Sequence, residues 1–436
     1  MNIIKIIDIL TSKNVEKYYR LYKNSQWFSK QKMELFQLDK LKKLIYHCYK
    51  NVPYYKNIML VNGINPQMIS SLKDIDHFPI LTKEIIKEHY NQFIPTNIKK
   101  IKGVKISQTG GTTGNILYTR NDTNTRSSVW AAYKRFEDWM GITKIDQSLI
   151  LMGGHVIGKN YYEIIKQNVY NYLTNRITFN PYDTSEENIK SIVNVLKNKN
   201  ISLIRSYSQF LYFLANRLKK EKFNFNIKAI TTTAEPLLPK QRKLFTEIFN
   251  AKIFDQYCCG EIGGVAFECE HHRGLHITEE HVIVEINKKN ELIITDLDNY
   301  SLPFIRYFNG DQAIISKNLC SCGRKSKLIK RIMGRTCDYI IGINGEFLHW
   351  AYFWHLFFDS NISEKRNIRK FQILQISNTE LKIRLISEPL NKDEKQMIIN
   401  NIQSRIGKMI INFSFEINIE NTASGKYRPV INYILK

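Results

Sequence analysis

Between residues 100 and 300, short apolar runs alternate with stretches whose apolar residues return every three or four positions. The runs VKIS (104–107), SLILM (148–152), ISLIRSY (201–207), KAITTTA (228–234) and AKIFDQY (251–257) predict strands. SEENIKSIVNVLKNKN (185–200), SQFLYFLANRLKKEK (208–222) and LPKQRKLFTEIF (238–249) predict helices, the first capped by Ser185. This rhythm predicts a parallel sheet covered by helices, with functional loops at the carboxyl ends of the strands.

The pattern differs at both ends. Residues 1–50 read as helical, with Leu38, Leu41, Leu44, Ile45 and Cys48 at helical spacing and a break at Pro53. FPILTKEIIKEHY (78–90) reads as a loop entering a helix capped by Thr82. After residue 265 the runs HVIVEI (281–286) and ELIITDL (291–297), joined by a KKN turn, predict antiparallel strands. A last unit follows: KFQILQIS, ELKIRLIS, the helix DEKQMIINNIQSRI and FSFEINI, a βαβ-like arrangement. The expectation is an α/β protein. A large N-terminal domain of several subdomains with helix-covered sheets (1–334) connects through 335–338 to a small α+β C-terminal domain (339–436).

Bulk composition changes this picture little. At 436 residues the chain exceeds one ordinary core, and 43% hydrophobic content marks it as globular. It has no apolar run of membrane-spanning length, and MNIIKIIDILTSKNVEKYY lacks a signal-peptide pattern, so a cytoplasmic protein is expected. The net charge of +24 fits either a polyanionic partner or basic residues spread over the surface. Its basic stretches are short and not interleaved with aromatics, so nucleic-acid binding is not expected. The seven cysteines, an odd number with no secretion signal, argue against a disulfide framework.

The candidate chemistry is local. Thr109-Gly110-Gly111-Thr112-Thr113-Gly114 follows a strand-like run; glycine admits close backbone approach to an anion and threonine adds uncharged donors, as a phosphate loop needs. Glu261, in a glycine-flanked turn after FDQY, suits Mg²⁺ that bridges phosphates, and Tyr257 suits stacking on a base. Asp311, behind Asn309-Gly310, suits a diol. Lys426, behind Ser424-Gly425, suits a phosphate or carboxylate. His155, Ser206 and Tyr207 mark the region of a substrate pocket. GGHVIGKN (153–160) is a P-loop near-match with Asn160 in place of the hydroxyl residue that holds Mg²⁺, which leaves a P-loop ATPase as an alternative. Cys269 and His276, with Cys320 and Cys322, fit a closed structural Zn²⁺ site, with His271 or His272 as substitutes for His276; buried thiols beside surface histidines are the alternative.

Taken in order, TGGTTG, TTTAEPL, DQYCCGEIG, IRYFNGD, GRTCDYI and TASGKYRPVI resemble the motif set of the adenylate-forming (AMP-binding) superfamily. The likeness is to its phenylacetate–CoA ligase branch, CapK-like proteins of polysaccharide gene clusters included. LIYHCYKNVPYY and FPILTKE extend it over nearly the whole chain. The resemblance implies an ATP-dependent, AMP-forming acid ligase that makes an acyl-adenylate and passes the acyl group to CoA or another thiol or amine. It implies that Thr109–Gly114 hold the β,γ-phosphates, with Thr112 catalytic. Ala234, Glu235 and Pro236 would border the adenine, with Tyr257 stacked on it. Glu261 would hold Mg²⁺, Asp311 would take the ribose, Arg335 would lie in the hinge and Lys426, on the C-terminal lid, would bridge the carboxylate and α-phosphate. A degenerate adenylate-binding scaffold is the further alternative, and a homodimer is left open. The chain departs from the pattern at Gly110, Gly260 and Cys337, and INGEFLHW (343–350) replaces the stretch that usually follows the hinge.

Overall fold

The structure is a computed structural model that describes residues 14–108, 117–152, 161–181, 183, 185–219, 223, 225–335, 339–358, 365–420 and 427–434. The chain divides into two compact units, one reaching to Met333 and the other beginning at Gly334.

In the first unit, β1 (Lys105–Gln108) and β2 (Tyr118–Asn121) form an antiparallel hairpin with Gln108 opposite Tyr118. Further along come β3 (Gln147–Leu151), β4 (Arg176–Thr178), β5 (Ile201–Tyr207), β6 (Ala229–Thr233), β7 (Lys252–Cys259), β8 (Gly263–Glu268), β9 (Leu275–Ile277), β10 (Val282–Ile286), β11 (Glu291–Asp296), β12 (Tyr307–Ile315) and β13 (Leu328–Arg335). Among the described residues these make one eleven-stranded sheet in the order β10-β11-β12-β13-β9-β8-β7-β6-β5-β3-β4. From β4 to β7 the pairing is parallel, and at β8 it turns antiparallel. The alternating rhythm of 148–257 and the β10–β11 hairpin are therefore as the pattern predicts.

Strand periodicity decides which faces the helices cover. Leu149, Ile204, Ile230 and Ile253 point to one face, under the helices Glu186–Asn198, Ser208–Leu218 and Pro239–Phe249. Leu203, Ala229 and Phe254 point to the other, against Ala131, Ala132 and Phe136 of the Thr123–Trp139 helix and Tyr22 of the Val15–Ser25 helix. Ser185 caps its helix as expected, accepting from the Asn188 N–H at 3.3 Å.

The antiparallel half packs on the N-terminal helices, where Leu41, Leu44, Ile45 and Cys48 are all buried. Pro53 does not simply end this helical region. The Lys30–Asn51 helix stops and Pro53 opens a new one, Pro53–Val61, because its fixed φ suits a first helical position where no N–H is needed. Buried polar groups stitch the halves together. Asp298 accepts from Lys40 Nζ and Ser128 Oγ at 2.6 Å each and pairs with His281 Nδ1 at 2.9 Å. Burial opposes the charge of Asp298, but Lys40 and His281 hold its carboxyl down at about 2.

The second unit holds β14 (Tyr339–Ile341), β15 (Phe347–His349), β16 (Lys370–Ser377), β17 (Glu380–Ile386), β18 (Ile410–Phe415) and β19 (Val430–Asn432). Its four-stranded sheet runs β18-β17-β16-β19. β17, the helix Lys392–Ile406 and β18 form a parallel βαβ crossover, with Ile398, Ile402 and Ile406 buried.

Candidate active site

The site is built on the hairpin where the sheet changes from parallel to antiparallel. β7 and β8 pair up to Cys259 opposite Gly263, and the turn between them carries Glu261. Gly263 has φ +104, and a Cβ there would lie 2.7 Å from the Val129 side chain of the Thr123–Trp139 helix. Only glycine gives both the backbone angle and the clearance, so the turn is seated tightly on that helix.

Tyr257, near the end of β7, is buried and donates its hydroxyl to Asp311 Oδ2 at 2.6 Å. Asn309 Nδ2 donates to both the Tyr257 oxygen and Asp311 Oδ2 at 2.8 Å. The Asp311 N–H returns to Asn309 Oδ1 at 3.1 Å, which closes the ring of bonds. Burial, with Asp311 beside it, pushes the Tyr257 phenol well above its ordinary value, so it remains a donor. Asn309 is a member of this group that turn chemistry alone hides: its side-chain amide, not only its turn propensity, is used.

Glu261 is half-buried, and its Oε1 accepts from the Tyr307 hydroxyl at 3.3 Å. Tyr307 opens β12 and bridges to Leu81, so the FPIL segment runs beside the strand that carries Asp311. Two backbone bonds of 2.9 Å fix this: Leu81 N–H to Arg306 C=O and Phe308 N–H to Leu81 C=O. Arg306 adopts φ +54 and sends its guanidinium to Glu285 at 2.8 Å and to the carbonyls of Phe78 at 2.8 Å and Asp76 at 3.1 Å. The apolar pattern gave no sign of this clamp. An arginine beside PFI, with an acid two strands away in the sheet, is the signal it left.

Ala234 follows β6 with φ +68 and is exposed. A non-glycine residue held there costs on the order of 1–3 kcal/mol, and such strain clusters where backbone is presented to a ligand. The Glu235 carbonyl accepts from Ser208 Oγ at 3.4 Å, and Pro236 follows, half-buried. Ser206 is fully buried with its hydroxyl on the Tyr207 carbonyl at 3.0 Å, while Tyr207 is half-buried at the end of β5. On the other face, Glu137 takes Arg205 at 2.8 Å, Lys134 at 2.6 Å and Arg176 at 3.9 Å. Burial opposes its charge, and these cations hold its carboxyl below the usual range. Tyr133 Oη lies 3.0 Å from Cys258 Sγ. Burial pushes the Cys258 thiol up to about 11 and Cys259 well above the usual range, so neither is a ready nucleophile.

Thr109, Gly110, Gly111, Thr112, Thr113, Gly114, His155 and Lys426 lie outside the described residues, as does the side chain of Arg335 at the end of β13. The flanks of the first segment are nonetheless fixed, since Gln108 and Tyr118 pair directly.

The structure also brings together Cys269, His276, Cys320 and Cys322, whose ligand atoms all lie within 4.8 Å of one another. His271 instead sits with Ser321 Oγ at 2.9 Å, and His272 Nδ1 lies 3.4 Å from Glu268. Burial, aided by Arg324 and Arg135, pushes His276 down to about 3, so its ring is neutral.

Residues 344–433 match the CapK C-terminal domain family. The phenylacetate–coenzyme A ligase of Thermus thermophilus is 24% identical over 348 residues, 72% of this chain and 73% of the relative. That of Pseudomonas putida is 23% identical over 409 residues, 88% and 89% of the two chains. In fold, the chain is similar to 2-hydroxyisobutyryl-CoA ligase in its postadenylation state, with a TM-score of 0.72, 16% identity, and 93% and 90% of the chains covered. It is also similar to the o-succinylbenzoate CoA synthetase of Bacillus subtilis bound to AMP, with a TM-score of 0.50, 13% identity, and 74% and 67% covered. The chain thus has the fold of these CoA ligases, a parallel-to-antiparallel sheet followed by a small α+β unit. Its sequence relatives are phenylacetate–CoA ligases, and residues 344–433 carry the CapK type of C-terminal domain.

Proposed function

We propose that the protein is an AMP-forming acid ligase: it activates a carboxylic acid with ATP as an acyl-adenylate and transfers the acyl group to CoA. The observation that carries this reading is the closed arrangement of Tyr257, Asp311 and Asn309 beside the Glu261–Tyr307 pair, in a homologue of phenylacetate–CoA ligases.

The residues fit ATP chemically. Tyr257 and Asn309 fix the Asp311 carboxylate, as a rigid acceptor for ribose hydroxyls requires, and the same bonds lock the Tyr257 ring for adenine. The strained Ala234 presents backbone beside it. Glu261, a half-buried carboxylate in a glycine turn, would hold Mg²⁺, and that ion supplies charge neutralisation at the phosphates when bound. Thr109–Gly114 would cradle the β,γ-phosphates from a loop whose ends β1 and β2 hold together.

A substrate carboxylate oxygen attacks the α-phosphorus in line; the bond to the β-phosphate oxygen breaks and pyrophosphate leaves. Lys426 would place positive charge between the carboxylate and the α-phosphate as the new anhydride forms. The CoA thiolate then attacks the acyl carbon, and AMP departs with the bonding electrons. We assign the adenylation domain to 1–334, a hinge to 335–338 around Arg335, and a lid carrying Lys426 to 339–436. His155 and Tyr207 are our candidates for the acid pocket. On the CapK resemblance, we further assign the acyl group to a surface polysaccharide, with a sugar amine as the final acceptor.

ATP–pyrophosphate exchange against a panel of aryl, short-chain and amino acids tests this, with acyl-CoA read by mass spectrometry. Acid-dependent exchange is expected. Acid-independent ATP hydrolysis that disappears in Lys159→Ala would overturn it in favour of a P-loop ATPase. Binding of ATP with no exchange for any acid would favour a scaffold.

A further inference from the structure

We propose that Cys269, His276, Cys320 and Cys322 bind one Zn²⁺ in a closed, structural site separate from the adenylating centre. The four come from three places. Cys269 follows β8, His276 lies in β9, and Cys320 and Cys322 lie in the loop from β12 to β13. Each contributes a ligand atom, and the atoms converge within 4.8 Å of one another.

The spacing suits a tetrahedron. With Zn–S near 2.3 Å and Zn–N near 2.0 Å, two thiolates on one ion stand roughly 3.8 Å apart and a thiolate and imidazole roughly 3.5 Å apart. Cys269 Sγ and Cys320 Sγ are separated by 3.6 Å, and Cys322 Sγ and His276 Nε2 by 3.4 Å. A disulfide would need about 2.05 Å, and both cysteines are free. His276 is fully buried, and its Nδ1 is held by Ser326 Oγ at 2.8 Å, which turns Nε2 toward the sulfurs. A ring fixed through its other nitrogen is what metal-ligating histidines show. Three thiolates and one divalent ion leave a net negative charge, and Arg324 lies beside Cys322 to balance it. No place for a substrate or catalytic water remains, since all four positions are filled by protein.

Its location defines its role. Cys269 lies at the far end of β8 from the Glu261 turn, eight residues along, or roughly 25 Å of strand. The ion would tie the end of β8 to the end of β12, the strands that run from Glu261 and from Asp311. It acts on the frame of the candidate active site and not on the reacting atoms.

The test uses the full-length protein. Metal analysis should find about one zinc per chain. Reconstitution with Co²⁺ should give the intense visible ligand-field bands and thiolate charge-transfer absorption of a tetrahedral sulfur-rich site. Cys320→Ser/Cys322→Ser should lose both signals, and His276→Gln should lose or shift them. His271→Ala, outside the set, should keep them. Should the cysteine variants fail to fold, the wild-type cobalt spectrum decides. A wild-type chain that takes up neither metal, an octahedral spectrum, or full metal content in the double variant overturns the proposal. So does a Cys269–Cys320 disulfide in the freshly purified protein.

Discussion

Tyr257 donates its hydroxyl to Asp311 at 2.6 Å, which joins the end of the parallel sheet to the middle of an antiparallel strand. An aromatic face and a carboxylate are thereby set at one fixed spacing before any nucleotide arrives. Tyr257→Phe keeps the ring and removes one hydrogen bond to the Asp311 carboxylate. Because a charge-assisted hydrogen bond contributes about 1.5–3 kcal/mol, KM for ATP should rise roughly tenfold or more with kcat less affected. Steady-state pyrophosphate exchange at varied ATP measures it. An unchanged KM would remove Asp311 from nucleotide binding.

Glu261→Gln retains an oxygen for the Tyr307 hydroxyl and removes only the charge. The variant should fold with an unchanged melting temperature. Adenylation should fall by about a hundredfold, as loss of one electrostatic partner in a phosphoryl site implies, with partial recovery at high Mg²⁺. Exchange assays over a magnesium series provide the check, and a Mg²⁺ dependence identical to wild type would contradict the assignment.

Lys426→Ala should abolish acid-dependent pyrophosphate release, by about a thousandfold or more, while ATP binding by calorimetry stays within a few-fold of wild type. Near-normal adenylation would remove the role given to this lysine.

The pH dependence of stability has a specific carrier in Asp255. Burial, with Glu268 close by, pushes its carboxyl up to about 7. The folded state thus holds this proton more tightly than the unfolded chain. The stability linked to it is present below about pH 4 and is lost as pH rises through about 7. An asparagine at this position would keep an oxygen for the Gln256 N–H that Asp255 now accepts at 2.8 Å. Asp255→Asn should therefore flatten the decline between pH 4 and 7 and be the more stable form at pH 8, by on the order of 1 kcal/mol. Glu279 and Asp296, also pushed up by burial, set the slope that remains. Urea midpoints of both proteins from pH 5 to 8 decide the matter.

Much of this was legible in the chain because periodicity encodes burial. The runs at 148–152, 201–207 and 251–257 are strands with both faces covered, and the residues that fill those faces are the apolar ones. Glu261 was visible because turn glycines mark where a carboxylate is displayed, whereas Asn309-Gly310, read as a turn, lies inside β12 with Gly310 at φ +89. Asn309, Tyr307 and Arg306 were not visible, since their roles depend on partners far away in sequence, and no local pattern records a cross-strand hydrogen bond. The break at Pro53 was legible, but the helix that Pro53 opens was not: a proline that ends one helix and a proline that starts the next read alike until the packing of Tyr55 and Met59 is known.

The backbone bridge from Leu81 to Tyr307, with the Arg306–Asp76 contact 230 residues apart, bears on how the protein is made. The helices between residues 30 and 93 bury part of their apolar side against strands that leave the ribosome much later. Until residue 308 has emerged, the segment around Phe78 has no edge to join, and the apolar residues of the first hundred must wait, a state that invites chaperone capture. Truncations ending before β12 should accordingly be insoluble, however helical their N-terminal sequence.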